Sequence, residues 1–200
     1  MARGEYGAHY VRSWRHERQI GDDGVNEAAI EDGVPTTGGW FVINAREARW
    51  MHNDMRVVCK FGGEGPAHFD DLGIGLYWIE PGRPMSLYHH EAGQEEFLVL
   101  RGRCILVIEG EERTLETWDL VHCPPGTAHT IVATGAEPAL ILAVGARKER
   151  GGARYPVDPA AVRHGAGVPD EHTSAPDHYA TFGTPQPGPP PAFFYGATSV

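Results

Sequence analysis

Two stretches decide the fold: PGRPMSLYHHEAGQEEFLVLRG, residues 81–102, and WDLVHCPPGTAHTIV, residues 118–132. Each joins a turn-forming Pro/Gly cluster to an apolar run that is typical of a β-strand. The first stretch contains His89, His90 and Glu95, and the second contains His129. Imidazoles and a carboxylate that converge from separate strands can hold a divalent metal ion. The two stretches therefore predict a metal site.

Short apolar runs continue on both sides of these stretches. The runs predicted as strands are rich in Val, Ile, Leu and aromatic residues: 56–61, 73–80, 95–101, 103–109, 113–115, 120–123, 130–133 and 139–144. Glycine and proline turns separate them at intervals of about ten residues. This spacing predicts an all-β sandwich or barrel, because nothing between the runs is long enough for the crossover of a βαβ unit.

The regions outside the strands have a different composition. Residues 1–55 are predicted as an N-terminal arm with one short helix, from Ala45 to about His52, because a capping-box pair precedes it. Residues 56–146 are predicted as the barrel domain. Residues 147–200 are predicted as a C-terminal extension, proline-rich from about residue 183.

The C-terminal extension carries two further local signals. The stretch from Asp158 to His164 is predicted to be helical, with Pro159 in its first turn. The proline-rich end suits an extended or disordered tail. Its aromatic run, residues 193–195, either packs on the body or on a partner subunit, or belongs to that mobile tail.

Composition limits the classes of function. The 200 residues, 41% of them hydrophobic, suffice for one domain with a sizeable core. The net charge of −10 argues against nucleic acid or an anionic membrane as a partner. We find no run of roughly 20 apolar residues for a membrane-spanning helix and no apolar stretch for a signal peptide. The 3 cysteines lack metal-type spacing, which favours a cytoplasmic protein with free thiols.

Between residues 73 and 145 the chain resembles the cupin superfamily. The first cupin motif is G-x5-H-x-H-x(3–4)-E-x6-G, and Glu95 with Gly102 fits its end. The second motif is G-x5-P-x-G-x2-H-x3-N, and Pro124, Gly126 and His129 fit its centre. The resemblance implies an all-β, double-stranded β-helix (jelly-roll) barrel that holds a divalent metal ion. Such a scaffold supports many reactions, so it does not imply one of them.

The chain departs from both motifs. In the second motif, Trp118 stands in place of Gly and Ala133 in place of Asn. The first motif fits in two registers. Counted from its start, its two His positions fall on Tyr88 and His90. Counted back from its Glu, they fall on His89 and Glu91.

Only one of these registers can face the pocket, because neighbouring side chains of a strand point to opposite faces. We favour the register of His89, since the other one offers Tyr88, a neutral phenol near pH 7. In that case His90 points away or lies behind the ligands.

The segment around His89 is also similar to the ligand segment of the 3-hydroxyanthranilate 3,4-dioxygenases, which are iron(II) cupins. The ligands of that family are a His, a Glu six residues later and a more distant His, and His89, Glu95 and His129 match them. This resemblance implies Fe(II) in a facial triad, although Zn, Mn, Ni or Co would accept the same ligands. Glu91 is a candidate fourth ligand, or an acceptor for a ligand imidazole. The substrate-binding arginines of that family find no match here.

Two further residues are candidates for the pocket. His122 could act as an acid or base if it faces the pocket, as could His90. Cys123 is expected to line the barrel as a small apolar residue rather than as a reactive thiol. The aromatic residues Tyr77 and Trp118 are expected in the core.

Two functions are consistent with these features. The first is a metal-dependent enzyme that acts on a small molecule with dioxygenase- or isomerase-like chemistry. The alternative is a non-catalytic cupin that binds or senses a small ligand. In either case the long extensions and an apolar sheet edge favour a homodimer.

Overall fold

The computed structural model describes residues 25–147, 152–171 and 176–196. Residues 1–24 of the predicted N-terminal arm lie outside this range. In the described part, no helix combines the length and the apolar character needed to cross a membrane. The strands of this part are, in chain order, β1 (Ile30–Glu31), β2 (Val34–Pro35), β3 (Trp50–His52), β4 (Val57–Lys60), β5 (Leu72–Ile79), β6 (Glu95–Arg101), β7 (Cys104–Ile108), β8 (Glu111–Leu115), β9 (Leu120–Cys123), β10 (His129–Ala133), β11 (Ala139–Ala146) and β12 (Gln186–Gly188).

Helices are few and short in the same residues. They are α1 (Pro159–Arg163), α2 (Pro176–Ala180) and two 3₁₀ helices, Gly65–Ala67 and Ala192–Tyr195. The prediction of α1 is confirmed. The Asp158 side chain caps it by accepting a 2.8 Å hydrogen bond from the Ala161 N–H.

The strands form two main antiparallel sheets. The larger has the order β12-β3-β4-β5-β11-β6-β9, the smaller has the order β10-β7-β8, and β1 and β2 form a separate hairpin. The core lies between the two main sheets, where Phe97 and Ile141 of the larger sheet meet Leu106 and Ile131 of the smaller one. The hydrogen-bonded ladders remain separate and do not close into one barrel. The predicted all-β, double-stranded β-helix fold is confirmed, and each predicted strand is present with ends displaced by at most 2 residues.

The prediction of a helix from Ala45 to about His52 is wrong. Asn44 closes one turn, because its carbonyl accepts hydrogen bonds from the N–H groups of Glu47 and Ala48. The chain then enters β3, in which Trp50 is 1% exposed and pairs with Cys59 of β4. Burial of this large side chain against the sheet outweighs a capping signal worth about 1 kcal/mol.

The proline-rich end packs on the larger sheet. β12 pairs with β3 and so adds an edge strand to the sheet from outside the predicted barrel segment 56–146. Phe193 stacks on Trp78 with ring centroids 5.7 Å apart, and Phe194 packs on Trp50 at 5.3 Å. Residues 186–196 therefore cover the face of the sheet that is opposite to the core. Among the expectations for this segment, packing on the body is the one observed.

The core between the sheets makes a prediction about stability. Ile141 is 0% exposed in β11, whereas Leu120 in β9 is 66% exposed. We expect Ile141→Ala to lower the free energy of unfolding by about 2–5 kcal/mol, because it leaves a cavity in the core. Leu120→Ala is the matched control and should change it by less than about 0.5 kcal/mol. Urea unfolding measures both values, and equal losses would contradict the assignment of the core.

Candidate metal centre

His89 and His129 face each other across an isolated antiparallel bridge. The His89 N–H donates to the His129 carbonyl at 3.1 Å, and the His129 N–H donates to the His89 carbonyl at 2.8 Å. The two imidazole centroids lie 5.3 Å apart. Glu95 begins β6, and Glu91 lies in the loop between His89 and that strand. The backbone thus brings together residues from the two histidine-bearing stretches, 81–102 and 118–132.

Backbone carbonyls orient both rings in the same way. His89 Nδ1 lies 2.8 Å from the Leu87 carbonyl oxygen, and His129 Nδ1 lies 2.9 Å from that of Thr127. A carbonyl oxygen only accepts hydrogen bonds, so each Nδ1 carries a proton. In the neutral form of either ring, the Nε2 lone pair then faces the site. His89 Nε2 lies 3.5 Å from Glu91 Oε1, and His129 Nε2 lies 3.5 Å from Glu95 Oε2.

These residues fit a divalent metal ion. The ligand atoms of His89, Glu91 and Glu95 all lie within 4.8 Å of one another. His129 Nε2 is buried and has no hydrogen-bond partner among the described residues. A buried polar atom without a partner is costly, and a metal ion would satisfy this one. Carbonyl contacts at the opposite nitrogen are also the usual support of metal-binding imidazoles. Nitrogen and oxygen donors of this kind accept several metals.

The electrostatics of the site suit the same role. Burial lowers the pKa of His129 to about 4, so the ring is neutral at pH 7, as metal binding requires. For His89, burial acts to lower the pKa, but the hydrogen bond with Glu91 and the charge of Glu95 outweigh it and raise the pKa. Burial, followed by repulsion from Glu91, raises the pKa of Glu95 to about 7. The hydrogen bond with His89 lowers the pKa of Glu91.

A cavity of about 310 Å³ opens beside these side chains. Its wall includes His89, Glu91 and Glu95 together with two tyrosines of the C-terminal extension, Tyr155 and Tyr179. The Tyr155 ring stacks on the His89 ring with centroids 5.6 Å apart. The Tyr179 hydroxyl accepts a 3.2 Å hydrogen bond from the N–H of Leu87. The extension thus forms part of the site.

The Tyr88/His90 register places its side chains elsewhere. Tyr88 is buried in a separate cluster with Val107 and Ala160, on the side of α1. The backbone of His90 pairs with that of Arg154, and its side chain lies outside the cavity wall. The hypothesis that Tyr88 or His90 belongs to the metal site or lies directly behind it has no support in this geometry.

His122 and Cys123 are not part of the cavity wall, whereas the burial of Cys123 matches its expected role as a small apolar residue. His122 is exposed, and its Nδ1 lies 3.0 Å from Glu96 Oε1 on the solvent side of β6 and β9. Cys123 is buried in the core cluster, where burial raises the pKa of its thiol to about 12. A thiol with that pKa is unreactive at neutral pH. Among the aromatic residues, Tyr77 packs against the core cluster, as predicted, and also lines the cavity. Trp118 is 71% exposed, so its predicted core position is wrong.

Several charged or aromatic residues of the cavity wall had no role predicted from the sequence, among them Arg56, Lys60, Arg147, Tyr155 and Tyr179. Arg56 and Lys60 are an even number of positions apart, so a strand places both side chains on one face. The sequence does contain this signal. Tyr155 and Tyr179 have no local signal, because their positions depend on how the extension folds back.

The fold and the donor set define a small jelly-roll protein with a pocket that can admit a metal ion and a small molecule. Residues 75–145 match the family model of the cupin domain. The predicted resemblance to the cupin superfamily is thus confirmed for this part of the chain. The cupin fold commonly binds a metal ion, and the His/Glu cluster described above could hold one.

Solved structures with a similar fold come from several bacteria. A sugar phosphate isomerase of the cupin superfamily from Silicibacter pomeroyi DSS-3 is 28% identical, over 51% of this chain and 65% of its own, with a TM-score of 0.44. A polyketide cyclase from Streptomyces resistomycificus is 18% identical, over 49% and 69%, with a TM-score of 0.43. A conserved double-stranded β-helix protein from Klebsiella pneumoniae is 20% identical, over 55% and 92%, with a TM-score of 0.46.

The match to the isomerase thus covers less than two thirds of that protein. No curated protein matches the chain. The local similarity to 3-hydroxyanthranilate 3,4-dioxygenases is not shown by these matches and stays a prediction.

The raised pKa of Glu95 makes a prediction about pH. A carboxyl group with a pKa of about 7 in the folded state and 4.5 otherwise favours the folded state less as pH rises through that interval. Glu95→Gln removes this titration. In the presence of a chelator, the variant should therefore gain stability relative to the natural protein between pH 5 and pH 8, on the order of 1–3 kcal/mol.

Urea unfolding at the two pH values measures this change. Glu96→Gln is the matched control, because the Glu96 side chain points to His122 on the other face of β6. A pH-independent difference for Glu95→Gln would show that burial does not perturb this carboxyl group.

Proposed function

We propose that the protein is a metal-dependent enzyme that acts on a small molecule. His89, Glu95 and His129 would be the metal ligands, with Glu91 as a fourth ligand or as a neighbouring base. One observation carries the proposal: two imidazoles, each fixed through Nδ1 by a backbone carbonyl, direct Nε2 toward two carboxylates at the wall of a cavity. Purely structural histidines have no need for this common orientation, or for a buried Nε2 that lacks a protein partner.

The polar wall favours isomerase-like chemistry on an oxygen-rich substrate. A bound divalent ion would supply a Lewis acid that polarises a substrate oxygen. The Glu91 carboxylate is half-exposed at the cavity, and its lowered pKa keeps it ionised and able to accept a proton. Tyr155 and Tyr179 add hydroxyl groups to the wall beside His89, and Phe97 adds an apolar contact. These groups can orient a polar molecule and move a proton without an external oxidant.

Dioxygenase-like chemistry is the second candidate. The observation that favours it is the donor set itself, since two imidazoles and one carboxylate form the facial triad of iron(II) oxygenases. The two candidates differ in the metal and in the need for oxygen. The predicted homodimer and the predicted cytoplasmic location stay predictions.

The proposal predicts which residue controls metal binding. Protein purified without added metal should contain about one equivalent of a transition metal by elemental analysis. His89→Ala should lose most of it, because the ring supplies a ligand. His90→Ala, the matched control at the next position, should retain it. Circular dichroism checks that both variants are folded.

Activity assays then separate the candidates. Iron with oxygen consumption on a small-molecule panel would indicate the oxygenase, and activity with Zn²⁺ or Mn²⁺ under anaerobic conditions would indicate the isomerase-like reaction. If neither the purified protein nor protein incubated with Fe²⁺, Mn²⁺, Ni²⁺ or Zn²⁺ binds an equivalent of metal, the enzyme proposal fails. The non-catalytic ligand-binding function would then replace it.

A further inference from the structure

Three cationic side chains line the same cavity as His89, Glu91 and Glu95. Arg56 directly precedes β4 and Lys60 ends it, so the two side chains, four positions apart, lie on one face of the strand. Arg147 directly follows β11. The cavity wall therefore has an acidic part, Glu91 and Glu95, and a basic part formed by these three residues. We call Arg56, Lys60 and Arg147 the basic cluster.

The basic cluster has only neutral partners among the described residues. Arg56 donates to the Met85 carbonyl and lies over the Tyr77 ring at 5.3 Å. Arg147 donates to the Phe69 carbonyl at 3.1 Å and contacts the ring of His68. None of the three forms an ion pair with a carboxylate of the described residues. Five of the other described arginines pair with a glutamate, namely Arg49, Arg101, Arg103, Arg113 and Arg163, and Arg46, Arg83 and Arg154 do not.

Three cations without an ion pair in the described part of the chain, all on the wall of one cavity, are unexpected in an acidic protein. With 27 acidic and 17 basic residues, the chain has more than enough carboxylates to pair every cation. Partial burial of the Lys60 ammonium, followed by the charges of Arg56 and Arg147, lowers the pKa of Lys60. The three cations thus repel one another across a shared space. An anion in that space would convert this repulsion into attraction.

Gly73 leaves room for the Arg147 side chain, because a Cβ there would come within 2.9 Å of Arg147 Nε. A Cβ on Gly145 would be in ordinary contact with the Glu95 carboxylate, 3.7 Å from Oε1. Gly145 pairs with Gly73 on one side and with Glu95 on the other. Neighbouring strands are about 4.8 Å apart, so β11, which Arg147 follows, lies next to the strand of Glu95, whereas β4 lies three strands from it, at roughly 14 Å. The long side chains of Arg56 and Lys60 reach into the same cavity, so a small molecule can extend from them to Glu95.

We propose that the basic cluster is an oxyanion subsite, which binds a phosphate or carboxylate group at one end of the substrate. The other end, rich in hydroxyl or carbonyl oxygens, then reaches the His/Glu centre. The substrate class is therefore a small, anionic, oxygen-rich molecule. This inference rests on the proposed function for the role of the second end, but the subsite itself can be tested without metal.

Lys60 is the residue to change, because its side chain lies at the cavity wall and makes no hydrogen bond in the described structure. The probes are inorganic phosphate and malonate, titrated calorimetrically into the full chain after removal of metal with a chelator. Lys60→Met should weaken the binding of the preferred probe by about tenfold, through loss of a charge-assisted contact. Lys60→Arg should restore it. Arg83→Met, which removes an exposed cation outside the cavity, should leave it unchanged within about twofold.

The outcomes are distinguishable from those of the metal experiment. Tighter binding of phosphate indicates a phosphorylated substrate, and tighter binding of malonate a carboxylated one. If neither probe binds the natural protein, or if Lys60→Met binds as well as Lys60→Arg, the oxyanion subsite is wrong. Metal content is measured on the same samples before chelation and should be the same for Lys60→Met and the natural protein. Phosphate binding that depends on Lys60 in a protein that holds no metal would overturn the metal centre and leave the subsite intact.

Discussion

The double pairing of β11 is the constraint on which the rest of the site depends. This strand lies between β5 and β6 and pairs with both along most of its length. Its alternation sends Ala143 and Gly145 toward the cavity, opposite Phe97 and Glu95. A slip of one residue would turn the opposite face of the strand to the cavity and remove the space that Gly145 leaves for the Glu95 carboxylate. The register of one central strand thus fixes both the apolar core and the acidic part of the pocket.

Burial of the polar groups in the pocket lowers the stability of the fold, and a purely structural role does not explain why they are buried. Glu95 is 16% exposed and has no cation paired with it among the described residues, apart from the two imidazoles. An apolar residue at this position would avoid the cost of desolvating a carboxylate. Violations of this kind are typical of functional sites, where a ligand supplies the missing partner. The unpaired basic cluster is a second violation in the same cavity, with the opposite sign of charge.

Local sequence signals predicted the strands well, and the residues of the predicted metal site lie near one another in the structure. Alternating apolar residues and glycine turns identify strands because each strand buries one face, and this applies throughout residues 57–146. The spacing of His89, Glu95 and His129 was readable because these residues belong to two continuous motifs.

The errors arise from tertiary packing. Burial of Trp50 in the sheet outweighed the signal for a helix, and Trp118 is exposed to solvent although it was predicted in the core. The residues that complete the cavity, such as Tyr155 and Arg147, depend on long-range folding that no local pattern encodes.

The contribution of Tyr155 and Tyr179 has a consequence for the order in which the site is completed during synthesis. The ribosome finishes the cupin domain, residues 75–145, before it adds Tyr155, and adds Tyr179 later still. Domains fold as units while the chain grows. The His/Glu cluster can therefore assemble while the chain is still being synthesised. At that stage the pocket lacks one wall and is open to water. Full enclosure of the pocket is a late event, separate in time from formation of the β-core, and both tyrosines must emerge before a substrate meets the finished surface.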